Sequence, residues 1–278
     1  MALIPPFFID TVVAIGRQTT QGTSVKKHWI GTGFLYATFQ QVNEEDPTTN
    51  DYKTHLITNK HVLNGQENII LRFNPQNGQA ATDYPVNLKN PDGSLIWTGH
   101  PEPDVDVAVI PINSQVLIDA GMKCSYFRSD NDILLKQDMI DKQISEGDFL
   151  YVLGFPMGMM PTDRQHVIVR SGIIARIRDL FEDRSKSFTV DSLVFPGNSG
   201  GPVVIKPELA AINGTTAYSR ASLVGIVKSY IPFTDVAVSQ QTGRARITFE
   251  ENSGLANVET VDKINETIVI ALAKLNVV

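Results

Sequence analysis

The sequence predicts an all-β protein that ends in one α-helix. Most apolar segments are short, rich in β-branched residues and bounded by glycine, proline, asparagine or aspartate, which is typical of strands in a sandwich or barrel. The 20 glycines and 15 prolines among the 278 residues supply the turns between these segments. Only the C-terminal segment repeats apolar residues at three- and four-residue steps over several turns, as an amphipathic helix does.

At least eleven segments have the strand pattern. In chain order they are Thr11–Ile15, Gly33–Phe39, His55–Thr58, Asn68–Phe73, Val105–Ile112, Phe149–Leu153, Val167–Val169, Ser187–Val190, Val203–Ile205, Leu223–Val227 and Ala245–Phe249. The stretch Asn113–Asp148 interrupts them with helical character. We therefore expect a single domain over 1–278 with a first β half at 1–125 and a second at 126–255.

The C-terminal helix is expected at 256–278. Its apolar stripe is formed by Val258, Val261, Ile264, Ile268, Ala271, Leu272 and Leu275. We expect this stripe to pack on the β halves, the alternative being that it docks a partner. Three polar insertions, Gln40–Lys53, Asn74–Pro103 and Pro232–Arg244, are expected to be surface loops.

Composition narrows the function classes. The 24 Lys and Arg residues are outnumbered by 30 Asp and Glu residues, giving a net charge of -6, which argues against a nucleic-acid partner. The single cysteine, Cys124, excludes an internal disulfide framework and a multi-cysteine metal site. No apolar run reaches the roughly 18–20 residues of a membrane span, and Met1–Phe8 lacks the features of a signal peptide. We expect a cytoplasmic protein with no membrane partner.

The segment Phe195-Pro-Gly-Asn-Ser-Gly-Gly-Pro-Val-Val204 is the most informative. A serine between small residues allows a tight turn in which backbone N–H groups point the same way as the hydroxyl. Acyl transfer needs this arrangement, because a nucleophile must act beside donors aimed at the developing oxyanion. Ser199 is therefore the candidate nucleophile.

A serine needs a base to take its proton. The five histidines (His28, His55, His61, His100 and His166) all precede Ser199. The G-x-S-x-G elbow of α/β-hydrolases places its histidine after the serine, so this order excludes that fold. His61 follows the end of a short apolar strand, a rigid platform for a catalytic side chain. The other histidines are expected to be structural or at the surface, and none has metal-ligand spacing.

The third member should be a carboxylate that sets the imidazole tautomer. Asp106 is the last charge before a strongly apolar strand, so it should lie at the buried entrance of that strand. A buried carboxylate needs a partner such as a histidine N–H. Asp104, two residues earlier on the same face, is the competing candidate.

With His61, Asp106 and Ser199 in this order, the chain resembles a chymotrypsin-fold serine protease, most closely an HtrA-type trypsin-like protease domain. The similar segments are Gly31–Phe34, Ile57–Val62, Asp106–Ile110, Val152–Gly158, Ser171–Ile174, Asp191–Ser199, Leu223–Val227 and Ser253–Ala256. The resemblance implies two perpendicular six-stranded antiparallel β-barrels with the site in the cleft between them. It also implies peptide-bond hydrolysis through an acyl-enzyme, without a cofactor or metal.

The same resemblance implies further site residues. The backbone N–H groups of Gly197 and Ser199 correspond to the oxyanion hole. The segment Lys228-Ser229-Tyr230 corresponds to the strand that pairs with the substrate backbone. Leu193 matches the specificity-pocket position, and its apolar side chain favours an uncharged aliphatic or aromatic substrate side chain.

The chain departs from the family's pattern in three respects. Zymogen relatives carry an aspartate just before the serine, whereas this chain has Asn198. The family's disulfides are missing, and we expect no PDZ module of the HtrA type, because the chain ends soon after its last helix. The expected function is a serine endopeptidase acting on protein or peptide substrates; a gated form of this function, in which a regulatory protein partner orders the loops, is a further hypothesis. The alternative is a catalytically silent scaffold of the same fold.

Overall fold

The computed structural model describes residues 3–22, 24–44, 46, 48–161 and 163–275, with only the backbone at positions 21 and 275. Outside this part of the chain lie residues 1–2, which begin the segment that lacks signal-peptide features, and the last three residues of the predicted helix 256–278. Within it, no helix is long and apolar enough to cross a membrane.

The all-β prediction with a C-terminal helix is confirmed. The strands of the described chain are β1 (Val12–Gln21), β2 (Ser24–Val42), β3 (Asn50–Thr58), β4 (Asn68–Phe73), β5 (Thr82–Asn87), β6 (Thr98–Gly99), β7 (Ala108–Ile112), β8 (Phe127–Arg128), β9 (Phe149–Gly154), β10 (Ile168–Arg176), β11 (Ser187–Asp191), β12 (Pro202–Ile205), β13 (Ser222–Val238) and β14 (Ala245–Thr260). The helices are α1 (Pro6–Asp10), α2 (Lys60–Leu63), α3 (Ser114–Asp119), α4 (Lys136–Asp141), α5 (Arg178–Phe181) and α6 (Val261–Leu275).

The two halves differ in architecture. The second half is a closed six-stranded barrel in the order β10-β11-β14-β13-β12-β9, as expected. The first half is an eight-stranded sheet in the order β5-β4-β1-β2-β3-β7-β6, with β8 added beside β2. The first half therefore departs from the expected six-stranded barrel, because the insertion at Asn74–Pro103 contributes β5 and β6 and the linker contributes β8.

Alternation along the strands divides the core into three parts. In β1, Val13 and Ile15 point into the interior of the first half, while Val12 and Ala14 point toward the second half. The interior of the barrel forms a separate cluster. The apolar stripe of α6 packs into the cluster shared by both halves, where Val261, Ile264, Ile268 and Ala271 are buried. The helix therefore braces the two halves against each other.

Several predicted boundaries need correction. The helix begins at Val261 rather than at residue 256, because residues 255–259 complete β14 by pairing with β11. The first half reaches beyond residue 125, since Phe127–Arg128 pairs with β2.

Two of the insertions expected as loops belong mainly to hairpins. Gln40–Lys53 is the end of the β2–β3 hairpin. Pro232–Arg244 is part of a β13–β14 hairpin that projects from the barrel with exposed side chains on both strands. These two polar stretches keep strand pairing because alternate backbone groups bond across the hairpin while the side chains stay in water.

Candidate active site

Ser199 lies on a tight loop that joins β11 to β12. Asn198, fully buried, accepts the Phe195 N–H on its side-chain oxygen at 3.2 Å. The Asn198 carbonyl accepts the N–H of Gly201 at 2.8 Å. The loop is thus held by a neutral amide at the position where zymogen relatives carry an aspartate, and it needs no cationic partner for this bond.

The backbone of this loop directs two N–H groups outward. Gly197 has φ = +99°, in the region that favours glycine, and a Cβ there would lie 2.4 Å from the Phe155 carbonyl oxygen. The Pro196 carbonyl accepts the Met157 N–H, so in a trans peptide the Gly197 N–H points the opposite way. Neither the Gly197 N–H nor the Ser199 N–H donates to any described residue. Two unused donors flank the serine, as an oxyanion hole requires.

The first half holds the serine loop from the other side. Thr32 N donates to the Ser199 carbonyl at 2.9 Å, and Thr32 Oγ1 donates to the Gly197 carbonyl at 2.6 Å. Gly200 lies so close that a Cβ there would be 2.0 Å from the Thr32 carbonyl oxygen. The Ser199 loop therefore belongs to the interface between the two halves.

His61 lies just after β3, in the one-turn helix α2. Its Nδ1 is 2.5 Å from Asp106 Oδ2, and its backbone N–H donates to Asp106 Oδ1 at 3.1 Å. The Asp106 carboxylate thus contacts both the ring and the main chain of His61. The imidazole itself is about half exposed, and the Asp106 side chain is largely buried.

Asp106 stands two residues before β7 rather than inside a strand. Its backbone is held by two fully buried side chains, with Asn59 Nδ2 donating to its carbonyl at 2.6 Å and Glu259 Oε1 accepting its N–H at 3.2 Å. Asp104 is exposed and pairs with Lys186 at 3.1 Å instead of His61. The structure therefore brings Asp106, and not Asp104, to the histidine.

The Ser199 hydroxyl makes no hydrogen bond with any residue in the described part of the chain. Its main chain nevertheless lies close to the histidine segment. A Cβ built on Gly31 would be 2.8 Å from the Val62 side chain and 3.4 Å from the Ser199 carbonyl oxygen. Ser199 and the residue next to His61 thus flank the same glycine, and the His–Asp contact is formed while the Ser–His contact is open.

The expected substrate strand has a free edge. Val227 exchanges two hydrogen bonds with the serine loop, through Gly200 N and Gly201 O. Beyond it, Ser229 and Tyr230 pair only with β14 among the described residues, and Lys228 lies at a register shift between Val227 and Ser229. Leu193 lies six residues before Ser199 and is about half exposed. These residues lie beside the serine loop, and their contact with a substrate stays a prediction.

Sequence reasoning missed three residues that shape the site. Asn59 lies within the histidine segment Ile57–Val62, and its position two residues before His61 was the available signal. Thr32 lies between the glycines of a recognised strand, but its bond to a residue 165 positions away has no local signature. Glu259 carries no signal at all, since a glutamate in a strand next to a helix is ordinarily exposed.

Two of the other histidines are buried. His55 is 1% exposed and has only Thr38 Oγ1, at 3.2 Å from Nε2, as a side-chain partner. His100, expected at the surface, is buried because its Nε2 bonds Glu266 at 3.0 Å and its Nδ1 accepts the Glu102 N–H. Neither residue contacts the His61–Asp106 pair.

The three side chains of His100, Glu102 and Glu266 come close enough to share a metal ion. Lys263 already pairs with Glu266 at 2.8 Å and lies 3.9 Å from Glu102. A lysine ammonium therefore supplies the positive charge that these carboxylates need, and the cluster is a structural ion-pair network.

Comparisons with known proteins identify the family of the chain. No curated protein matches the sequence. One similar solved structure is the protease domain of MamO from Magnetospirillum magneticum in its apo form, at 15% identity and a TM-score of 0.46, covering 93% of this chain and 96% of that one. The family model described as the trypsin-like peptidase domain matches residues 31–208, which include His61, Asp106 and Ser199. The chain belongs to the family of trypsin-like peptidase domains.

Proposed function

We propose that the protein is a serine endopeptidase that hydrolyses peptide bonds with Ser199 as nucleophile. One observation carries the proposal, the 2.5 Å contact between His61 Nδ1 and Asp106 Oδ2. A carboxylate on Nδ1 holds the proton there, which leaves Nε2 as the basic nitrogen. The aspartate also stabilises the imidazolium that forms when Nε2 takes a proton.

The chemical steps follow from these positions. Ser199 Oγ attacks the scissile carbonyl carbon while its proton passes to His61 Nε2, and the carbonyl oxygen takes the negative charge. The N–H groups of Gly197 and Ser199 stabilise that oxyanion. The tetrahedral intermediate collapses to an acyl-enzyme as His61 protonates the leaving amine. A water molecule, deprotonated by His61, then releases the acid product and restores Ser199. No step requires a cofactor or metal.

We infer that the substrate is an extended protein or peptide segment. The open edge at Lys228-Ser229-Tyr230 supplies backbone groups to which such a segment adds as a strand. Leu193 favours an uncharged side chain at the residue before the scissile bond. We also propose a cytoplasmic location, because a chain whose only cysteine is Cys124 forms no internal disulfide, and disulfides are rare in that compartment.

The Ser199 hydroxyl, which has no hydrogen-bond partner among the described residues, is compatible with two further functions besides a constitutively active protease. Catalytic hydrogen bonds are often long or unformed in enzymes without substrate, so the open contact is compatible with an active protease. The same observation supports a protease gated by a regulatory protein that brings Ser199 and His61 together. It equally supports a catalytically silent scaffold that binds a protein through its cleft.

A fluorophosphonate probe distinguishes these functions. The purified protein is treated with the probe alongside Ser199→Ala and His61→Ala, and turnover is followed with casein. Labelling of the wild type that is lost in both variants supports the proposal. Labelling that appears only after a cell extract is added supports the gated protease. The absence of labelling both with and without the extract supports the catalytically silent scaffold.

A further inference from the structure

The barrel of the second half holds the backbone of Asp106 through the buried side chain of Glu259. Glu259, in β14, is fully buried, and its Oε1 accepts the backbone N–H of Asp106 at 3.2 Å. Asp106 precedes β7, so its main chain has no ladder partner at this point. The orientation of Asp106 therefore depends on side chains from other elements, Glu259 on its N–H and Asn59 on its carbonyl.

Glu259 is itself held by a lysine. Lys228 Nζ lies 3.0 Å from Glu259 Oε1 and also donates to the Asp104 carbonyl. Burial of an unpaired carboxylate is strongly unfavourable, so the ammonium is required for the glutamate to stay in this position. Glu259 Oε2 has no hydrogen-bond partner in the described chain, which makes the Oε1 contacts the ones that orient this carboxylate.

Lys228 is the first residue of the free edge, Lys228-Ser229-Tyr230, with which the substrate is proposed to pair. Its backbone belongs to β13, while its side chain turns away toward the Asp104–Asp106 segment. One residue thus joins the edge of the cleft to the carboxylate that holds Asp106. The chain of contacts runs from β13 through Lys228 and Glu259 to the Asp106 N–H, and from Asp106 to His61.

We propose that Glu259, neutralised by Lys228, is a positioning residue that fixes the main chain of Asp106 and thereby the orientation of His61. The inference rests on the proposed peptidase function. It assigns to the second barrel a direct part in orienting the base, which is carried by the first half. Glu259 touches neither the substrate nor the reacting atoms.

Two double variants isolate the bond to Asp106 from the ion pair. Glu259→Leu with Lys228→Met replaces the pair by apolar side chains of similar volume, an exchange that folded proteins often tolerate. Glu259→Gln with Lys228→Met also removes both charges but keeps an amide oxygen that can accept the Asp106 N–H. Both variants change Lys228 identically, so effects on the substrate edge cancel in the comparison.

The expected result concerns turnover and its pH dependence. The leucine double variant should turn over casein or react with the fluorophosphonate at least about tenfold more slowly than the glutamine double variant, with the loss in kcat rather than KM. The acidic limb of its pH–rate profile should lie at lower pH, because a displaced Asp106 stabilises the imidazolium less. Equal rates and profiles in the two folded variants would overturn the positioning role.

A spectroscopic readout separates this inference from the proposed function. The His61 Nδ1 proton bound to Asp106 should give a far-downfield proton NMR signal, assigned by its loss in His61→Ala. The signal should persist in the glutamine variant and be lost or broadened in the leucine variant. If the wild type shows the signal but no probe labelling, the peptidase proposal fails while positioning stands. A signal unchanged in the leucine variant refutes positioning whatever the activity.

Discussion

Thr32 Oγ1 donates a hydrogen bond of 2.6 Å to the carbonyl oxygen of Gly197, so strand β2 of the first half holds the loop that carries Ser199. The same hydroxyl oxygen accepts the Phe155 N–H at 3.2 Å, and Thr32 is fully buried. One threonine thus connects β2 with two separate segments of the second half. The relative position of Ser199 and His61 depends on this connection.

Thr32→Val tests this connection. Valine keeps the shape and β-branching of threonine but leaves the Gly197 carbonyl and the Phe155 N–H unsatisfied. We expect the free energy of unfolding to fall by about 1–3 kcal/mol and turnover to fall with it. Chemical denaturation and casein cleavage measure the two effects. Thr19→Val, on the exposed end of β1, is the matched control and should change neither.

Substitution of the two aspartates tests which carboxylate orients the base. Asp106→Asn should lower turnover by roughly 10³–10⁴-fold, because an amide presents the wrong partner to His61 Nδ1. Asp104→Asn should have little effect, since Asp104 is exposed and pairs with Lys186. Steady-state kinetics on a peptide substrate decides between them. The reverse pattern would assign the catalytic role to Asp104.

Gly197→Ala tests the proposed oxyanion donors. The alanine would need a φ near +99° and would place its Cβ 2.4 Å from the Phe155 carbonyl oxygen, so the loop must shift. We expect loss of fluorophosphonate labelling and a lower melting temperature. Gly93→Ala is the control, because Gly93 has φ = +85° with nothing within 4 Å of its Cβ position. It should show only the modest cost of the left-handed conformation, about 1 kcal/mol.

The stability of the fold should depend on the protonation of His55. Burial, with a smaller contribution from Lys53, lowers the pKa of His55 from 6.5 to about 4. Above pH 6.5 the imidazole is neutral in both states. Between pH 6.5 and 4 the unfolded chain binds the proton and the folded chain does not, so the free energy of unfolding falls as the pH falls, by up to about 3 kcal/mol from this group.

Urea denaturation across this pH range measures the effect. His55→Gln removes the titrating group and can still bond Thr38, so its stability should decline less steeply between pH 6.5 and 4 than that of the wild type. His28→Gln, at an exposed position of β2, should follow the wild-type slope. Parallel curves for wild type and His55→Gln would contradict the assignment.

The parts of the fold that sequence could predict are those with local signatures. Alternating apolar residues and turn residues indicate strands, and the three- and four-residue spacing indicates α6, because these periods follow from backbone geometry. The projecting hairpin of β13 and β14 was interpreted as a loop, since both of its faces meet water and no apolar alternation marks it. The strands β6 and β8 of the first half were missed for a different reason, because each has only two residues and is too short to show an alternation.

The residues of the candidate site also differ in whether they have a local sequence signature. Ser199 and His61 stand in short motifs whose chemistry is readable from neighbouring residues. Asp106 could be chosen over Asp104 from its place beside an apolar run, and the structure brings that residue to His61. Glu259 could not be found, because it lies 153 positions from Asp106 and its burial depends on a lysine from another strand. Contacts of this kind exist only after tertiary packing.

That separation along the chain has a consequence for biosynthesis. The bonds that complete the site join residues 45, 153 and 165 positions apart, and such non-local contacts close late in folding. A nascent chain emerging from the ribosome carries His61 and Asp106 long before it carries Ser199 and Glu259. A half-made molecule therefore has no assembled Ser199, His61 and Asp106 site, and the proposed peptidase activity would arise only after the second half has been synthesised and folded.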